Sequence, residues 1–390
     1  MKKVLAIIVI TQFFCTSVWF ASNAIMPELI KSLNLKPQFL AHCTSSVQFG
    51  FISGTFLFAL LTIADRFSPS VVYFISSLFS AFFNLMSGID NINSSELLFF
   101  RFLTGFFLAG IYPVGMKIAS DYYNTTLGRS LGFLVGALVV GTAFPHLLKT
   151  FTSSLPWKYV IYSTSALCVA GGLIMFLFVP DGPHRSAAQK IKLNRFLTGF
   201  RNKNFRSIAS GYFGHMWELY TFWAFVPVIL TNYNDQYPDN ELNIPLLSFF
   251  IIGSGGIACI CSGLLSQNFS SKKIATIALI MSCLCCVFSP FFLLINSTTV
   301  FLAFLFFWGL VVIADSPLFS TLIAQNAEEE SRGTSLTIIN CIGFSITILS
   351  IQFINVLSNN INPKFIYMFL AIGPVLGIIA LLLPARPKKG

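Results

Sequence analysis

The chain has 390 residues, of which 55% are hydrophobic and only 10% are charged. Soluble domains carry about 25% charged residues, so this composition excludes a soluble enzyme and a disordered regulator in favour of a polytopic helical membrane protein. The formal charge of +10 would suggest nucleic acid in a soluble chain; in a membrane chain it becomes a question of where the basic residues lie.

Apolar segments long enough to cross a bilayer fall at 4–26, 40–64, 71–88, 96–116, 130–150 and 159–179. A second set follows at 207–231, 246–267, 274–295, 299–323, 334–357 and 364–384. Numbered 1 to 12 in chain order, they predict twelve transmembrane helices, and no run of alternating residues supports a β-barrel. Segment 1 opens with Lys2-Lys3 and contains Ala21-Ser22-Asn23-Ala24, the pattern of a cleavable signal peptide. Its apolar run extends to Met26-Pro27, however, and an even pairing of the later segments requires it, so it reads as the first helix.

With both termini inside, 18 of the 24 Lys and Arg fall in cytoplasmic connections. Five (Lys31, Lys36, Lys149, Lys158 and Lys364) fall outside, and only Arg101 lies within a segment. This is the asymmetry of the positive-inside rule, and it accounts for the net charge by insertion and anionic lipid without nucleic acid. The longest connection, about 180–206, is basic and divides the chain into 1–180 and 207–390, with 181–206 as linker. The outer connection near 232–245 carries Asp235, Asp239 and Glu241 and reads as a solvated loop. The nine cysteines lie in apolar runs without metal-site spacing, so neither a metal nor a cofactor is implied.

Several features recur at a near-constant offset. Gly105 and Pro113 in segment 4 match Gly309 and Pro317 in segment 10, each pair 204 residues apart. Arg129 opening segment 5 matches Arg332 opening segment 11, and Trp157-Lys158 sits near the equivalent of Pro363-Lys364. Such a repeat predicts two pseudo-symmetric six-helix bundles with a midplane site between them, suited to rocking-type alternating access.

Asp65-Arg66 between segments 2 and 3, and Arg101-Phe-Leu-Thr-Gly105 continuing to Ala109-Gly110-Ile-Tyr-Pro113, resemble signatures of the major facilitator superfamily. The first match departs from the family pattern, with Leu61 where the family has Gly. The counterpart after segment 8 keeps Gly263 and Lys272-Lys273 but loses the acid. Segment 5 has Gly132, Gly136, Gly141 and Pro145 without the tight Gly-Pro-x-x-Gly-Gly of drug antiporters. The resemblance implies gating roles for Asp65, Arg66, Pro113, Pro317, Arg129 and Arg332, and a cavity lined by segments 1, 4, 7 and 10.

Ionisable side chains inside hydrocarbon are costly and are functional candidates by default. Arg101 reads either as a substrate or coupling cation or as a residue snorkelling to the outer interface. Lys117 falls at the cytoplasmic rim beside Asp121. In segment 7, His215 and Glu218 are three apart, share a helix face and suit a proton relay or a hydrogen-bonded structural pair. Asp315, in Ala314-Asp315-Ser316-Pro317, is the second buried acid, with a coupling or a kink-stabilising role, and Ser316 can help satisfy the carbonyl that Pro317 frees. Trp19, Asn23, Gln48, Trp217, Tyr220, Trp223 and Asn340 are candidate cavity residues, while His42 and His146 read as interfacial.

No Walker loop is present. The expectation is a proton-coupled secondary transporter of a small anionic or zwitterionic solute in a bacterial inner membrane, acting as a monomer with lipid, substrate and protons as partners. Efflux of drugs, siderophores or metabolites by proton antiport is the alternative. An embedded enzyme would need a polar catalytic cluster that His215-Met-Trp-Glu218 does not supply.

Overall fold

The structure is a computed structural model that describes residues 2–123, 127–185, 200–328 and 332–383. Its described elements are all helical. Among the described residues, ten helical spans are long and apolar enough to cross a membrane: Phe39–Leu60, Pro69–Met86, Ser94–Tyr122, Gly128–Phe151, Lys158–Phe178, Ile244–Leu265, Ser271–Leu294, Thr298–Asn326, Gly333–Leu357 and Pro363–Leu382. They are segments 2 to 6 and 8 to 12. Large apolar side chains stand exposed on them, among them Ile257, Phe291, Leu349 and Leu376 at 61–65% exposure. In water such a surface would aggregate; in hydrocarbon it is the expected exterior.

The other two segments differ from the ten in opposite ways. Segment 7 is a single helix of 34 residues, Lys203–Gln236, whose polar residues lower its hydropathy. Segment 1 is not continuous: Lys2–Thr16 is followed by the short helices Ala21–Ala24 and Met26–Ser32, with a break over Ser17–Phe20.

Segments 4 and 10 are also broken, where the sequence pattern reads each as one helix. Segment 4 is Ser94–Leu108 followed by Tyr112–Tyr122, and segment 10 is Thr298–Val311 followed by Ser316–Asn326. Pro113 and Pro317 stand in the first turn of the second piece of each. Proline has no N–H for the carbonyl four residues back, so the ladder opens at that point. At Ile313 the freed oxygen is recovered, accepting from the Ser316 backbone N–H at 3.1 Å and from Cys259 Sγ at 3.5 Å. It is thus the backbone of Ser316, not its hydroxyl, that answers the carbonyl. Segment 4 begins on a capping box in which Asn93 and Glu96 each accept the other's backbone N–H at 2.9 Å.

Close packing depends on glycine at matched places. A Cβ on Gly105 would lie 2.0 Å from the Val47 oxygen, and one on Gly309 would lie 2.1 Å from the Ile251 oxygen. Val47 and Ile251 are themselves 204 residues apart, so the offset seen in sequence is repeated by the contact each glycine makes. Segments 5 and 8 approach in the same manner, a Cβ on either Gly136 or Gly256 falling 3.0 Å from the other's carbonyl oxygen. Segments 2 and 11 are tied by polar contacts: Gln352 Nε2 donates to the Ser45 hydroxyl at 2.8 Å and the Ala41 carbonyl at 3.1 Å, and Gln38 donates to Asn359 at 2.7 Å.

Replacing Gly105 or Gly309 by Val forces two backbones apart and is expected to cost about 1–3 kcal/mol or more, the range of core overpacking. Gly333→Ala, where nothing lies within 4 Å of the added atom, should change stability little. Thermal unfolding of the purified variants in detergent measures the difference.

Candidate functional site

Arg101 is fully buried in segment 4. Its Nη1 donates to Asn84 Oδ1 at 2.9 Å, and its Nη2 donates to the carbonyls of Val18, at 3.1 Å, and Trp19. Those carbonyls belong to the Ser17–Phe20 break of segment 1, so the guanidinium supplies donors that an unbroken helix would have supplied itself. No carboxylate pairs with it among the described residues, and its Nε has no partner. The snorkelling reading is therefore overturned, since the head group points into the molecule. Asn23, on the short helix that follows the break, donates to the Thr44 hydroxyl at 2.9 Å and so helps fix segment 1 to segment 2.

The face-sharing pair His215 and Glu218 is separated by the structure. Glu218 accepts from Trp308 Nε1 at 2.7 Å and from the Ser282 hydroxyl at 2.9 Å, wedged between segments 7, 9 and 10. His215 instead turns to the break of segment 10, where its Nδ1 lies 2.8 Å from Asp315 Oδ1. Both side chains are 1% exposed. The two groups touch without a well-aligned hydrogen bond: His215 Nε2 and both Asp315 oxygens are without a hydrogen-bond partner. Tyr212 and Phe319 flank the imidazole with ring centroids at 6.1 and 6.0 Å.

A set of aromatic rings joins segments 1, 2, 7 and 11. Trp19 stacks on Tyr220 at 5.8 Å and on Phe344 at 5.9 Å, and packs against Phe51 at 4.8 Å; Tyr220 meets Trp223 edge-on at 5.2 Å. Trp19 and Trp223 are also 204 residues apart, and the indole N–H of each is buried without a partner. The amide of Gln48 is likewise unsatisfied. Buried donors in this condition call for water or a ligand. Tyr212 donates to Asn340 Oδ1 at 3.0 Å, which brings Asn340 to the same side of segment 7. Trp217 does not join them: its Nε1 donates to the Phe369 carbonyl at 3.4 Å and its ring lies 5.8 Å from Phe353, on the side of segments 11 and 12. His146, expected at an interface, is 2% exposed inside segment 5 with Nε2 unpartnered, because the helix runs on to Phe151. His42 is exposed, in keeping with its interfacial reading.

A cluster of charges closes one end of the molecule. Lys117 Nζ is 2.8 Å from Asp65 and 3.8 Å from Asp121. Arg185 donates to the carbonyls of Phe67 at 2.8 Å and Asp65 at 3.1 Å and pairs with Asp181, which also accepts from the Ser68 hydroxyl at 2.7 Å. Arg66 and Arg129 are exposed; the Arg129 guanidinium lies 5.8 Å from the Phe133 ring centroid. Arg332 opens the helix Arg332–Leu357, but its side chain lies outside those described, as do Lys190, Lys192 and Arg195 of the basic linker.

The sequence matches the model of the Major Facilitator Superfamily over residues 8–351. The chain belongs to the major facilitator superfamily. Two proteins of known structure share its fold. The human organic anion transporter MFSD10 (TETRAN) aligns with a TM-score of 0.77 at 11% identity, over 97% of this chain and 99% of that one. The proton:xylose symporter XylE, bound to 6-bromo-6-deoxy-D-glucose, aligns with a TM-score of 0.74 at 11% identity, over 96% and 94%. A search by sequence among curated proteins returns no match.

Within the superfamily frame, the degraded signature after segment 2 acquires a physical reading. Leu61, where the family has Gly, is right-handed, and the left-handed residue of the turn is Thr62 at φ 51°. A β-branched side chain there is strained, and Arg185 braces the same turn by holding its carbonyls. Arg185, Asn84, Trp308 and Ser282 are the residues that sequence reasoning missed. Asn84 carried a signal, an amide in an otherwise apolar helix, and Arg185 carried a weaker one, an acid four residues before it.

Replacing Arg101 by Met leaves the Asn84 oxygen and two buried carbonyls without donors, each a loss of about 1–3 kcal/mol. Arg101→Met is expected to lower the thermal unfolding temperature sharply and Asn84→Ala to lower it less, in detergent and without any solute present.

Proposed function

We propose that this chain is a twelve-span, proton-coupled secondary transporter of a small anionic or zwitterionic solute, working by alternating access. In this reading residues 1–180 and 207–390 form two six-helix bundles joined by 181–206, with both termini on the basic, cytoplasmic side of a bacterial inner membrane. The observation that carries it is the buried His215–Asp315 contact at the break of segment 10, with His215 Nε2 and both Asp315 oxygens left without a hydrogen-bond partner. A carboxylate and an imidazole in contact can pass a proton between them, and groups taken out of water at this depth are retained for function.

The geometry divides the candidates. Asp315 and His215 act as the proton-carrying pair, whereas Glu218, held by two neutral donors, supports segment 7 from behind and exchanges protons only if Trp308 or Ser282 lets go. Arg101 is a buried cation without a buried anion beside it, so its field favours an anionic group near Trp19. Trp19, Tyr220 and Asn340 line the path, and the Asp65–Lys117 pair forms part of the cytoplasmic gate. The two structural neighbours move chemically different solutes on the same fold, so the fold does not select the substrate; the site must.

Proteoliposomes with an imposed pH gradient, screened against organic acids, amino acids, sugars and siderophores, test this reading. Proton-driven accumulation of an acid or zwitterion is expected, and its dependence on gradient direction separates symport from antiport. Asp315→Asn should reduce gradient-driven accumulation to background while solute exchange at equal pH persists. Loss of both activities, or retention of both, removes the coupling role. Glu218→Gln should leave driven transport reduced but measurable, with the larger effect on stability.

A further inference from the structure

Far from the midplane residues, a cavity of about 320 Å³ lies where segments 7 and 9 end and segment 12 begins. Its walls include Asn232, Tyr233, Asp235, Asn362, Lys364 and Tyr367. Two charges of opposite sign therefore line one small space, and among the described residues neither Asp235 nor Lys364 has an ion-pair partner. The Tyr367 hydroxyl is buried and without a hydrogen-bond partner. An acid and a base that line the same cavity without pairing with each other match a ligand carrying both charges.

The position of the cavity selects among such ligands. Tyr233 and Tyr237 donate to the carbonyls of Ile295 at 3.0 Å and Leu294 at 2.8 Å, pinning the end of segment 7 to the end of segment 9 at the height where tyrosines mark a bilayer interface. The helix ends around the cavity also expose Phe291, Leu294, Phe365 and Met368, which require hydrocarbon beside them. A cavity with polar walls at the rim of an apolar surface is where a phospholipid headgroup lies.

We propose that this cavity seats the headgroup of a zwitterionic aminophospholipid, with Lys364 facing the phosphate and Asp235 facing the primary ammonium. The shared chemistry is a primary amine two carbons from a phosphate, available either as phosphatidylethanolamine or as free O-phosphoethanolamine. The lipid is favoured, because its acyl chains would cover the exposed apolar side chains as well. The proposal is independent of the substrate and of proton coupling.

Native mass spectrometry of the detergent-purified full chain, titrated with phosphatidylethanolamine, phosphatidylcholine, phosphatidylglycerol or O-phosphoethanolamine, tests it. Phosphatidylethanolamine is expected to be retained in preference to the other two lipids. Lys364→Met and Asp235→Asn should each weaken that retention by about fivefold, the effect of one charge-assisted contact. Equal retention of all three lipids, or unchanged retention in both charge variants, would overturn the site. Competition by O-phosphoethanolamine at the same concentration as the lipid would overturn the lipid and assign the cavity to a soluble zwitterion. A variant that does not fold is replaced by Lys364→Gln or Asp235→Ser, read by the same criterion.

Discussion

A backbone carbonyl without a helical partner, deep in hydrocarbon, has to be answered by the protein itself. Three interruptions raise that demand here, at 17–20, 109–111 and 312–315, and the candidate chemistry gathers around them. The first is answered by Arg101, which binds two of its carbonyls and thereby sets Trp19 at the centre of the aromatic cluster. The third is answered by the Ser316 N–H and the Cys259 thiol, which leaves the Asp315 carboxylate free of capping and able to meet His215. Breaking a helix at this depth is costly, but it is the means by which polar side chains and irregular backbone reach a midplane site.

Much of this was legible in the sequence because hydrophobicity, charge placement and repeats are one-dimensional signals. The ten apolar spans coincide with predicted segments, and the Gly105–Gly309 offset proved to be an offset of contacts, each glycine resting on a matched carbonyl. Partner identity was not legible. Residues three apart on a helix point within roughly 60° of each other, so His215 and Glu218 share a face. Which neighbour each meets depends on where segments 9 and 10 lie, and that is a property of packing. Trp217 illustrates the same limit, since its rotation carries it to segments 11 and 12, away from Tyr220. The helix breaks were hidden for another reason: apolar or small residues run on through 109–111 and 312–314, and only Pro113, Pro317 and Asp315 hinted at them.

Lys117 and Arg185 show how a charge count conceals geometry. Both enter the positive-inside tally as interchangeable basic residues. In space Lys117 binds Asp65 across from another segment, more closely than it binds Asp121 on its own helix. Arg185 holds two carbonyls of the strained turn at Thr62. On the proposed reading, topology and gating draw on the same residues, and a rule that scores only their side of the membrane cannot separate the two uses.

The duplicated frame carries chemistry that is not duplicated. The position matching Arg101 is Leu305, and the position matching Asp315 is Ile111, while Gly105, Pro113, Val47 and Trp19 all have like counterparts. The parts that set how closely helices approach and where they break are therefore shared, which on the proposed reading lets the two faces of the molecule open and close through similar contacts. The charges are split, a buried cation in the first half and a histidine-bound acid in the second. On the proposed reading this split has a consequence of sign. With Asp315 ionised, the two opposite charges partly cancel in the field felt by a solute between them. Once Asp315 binds a proton, Arg101 is left uncompensated and the same space becomes attractive to an anion. An arrangement of one cation and one protonatable acid, set on opposite halves and linked through the Trp19–Tyr220 stack, therefore makes proton binding and anion binding favour each other without any contact between the two ligands.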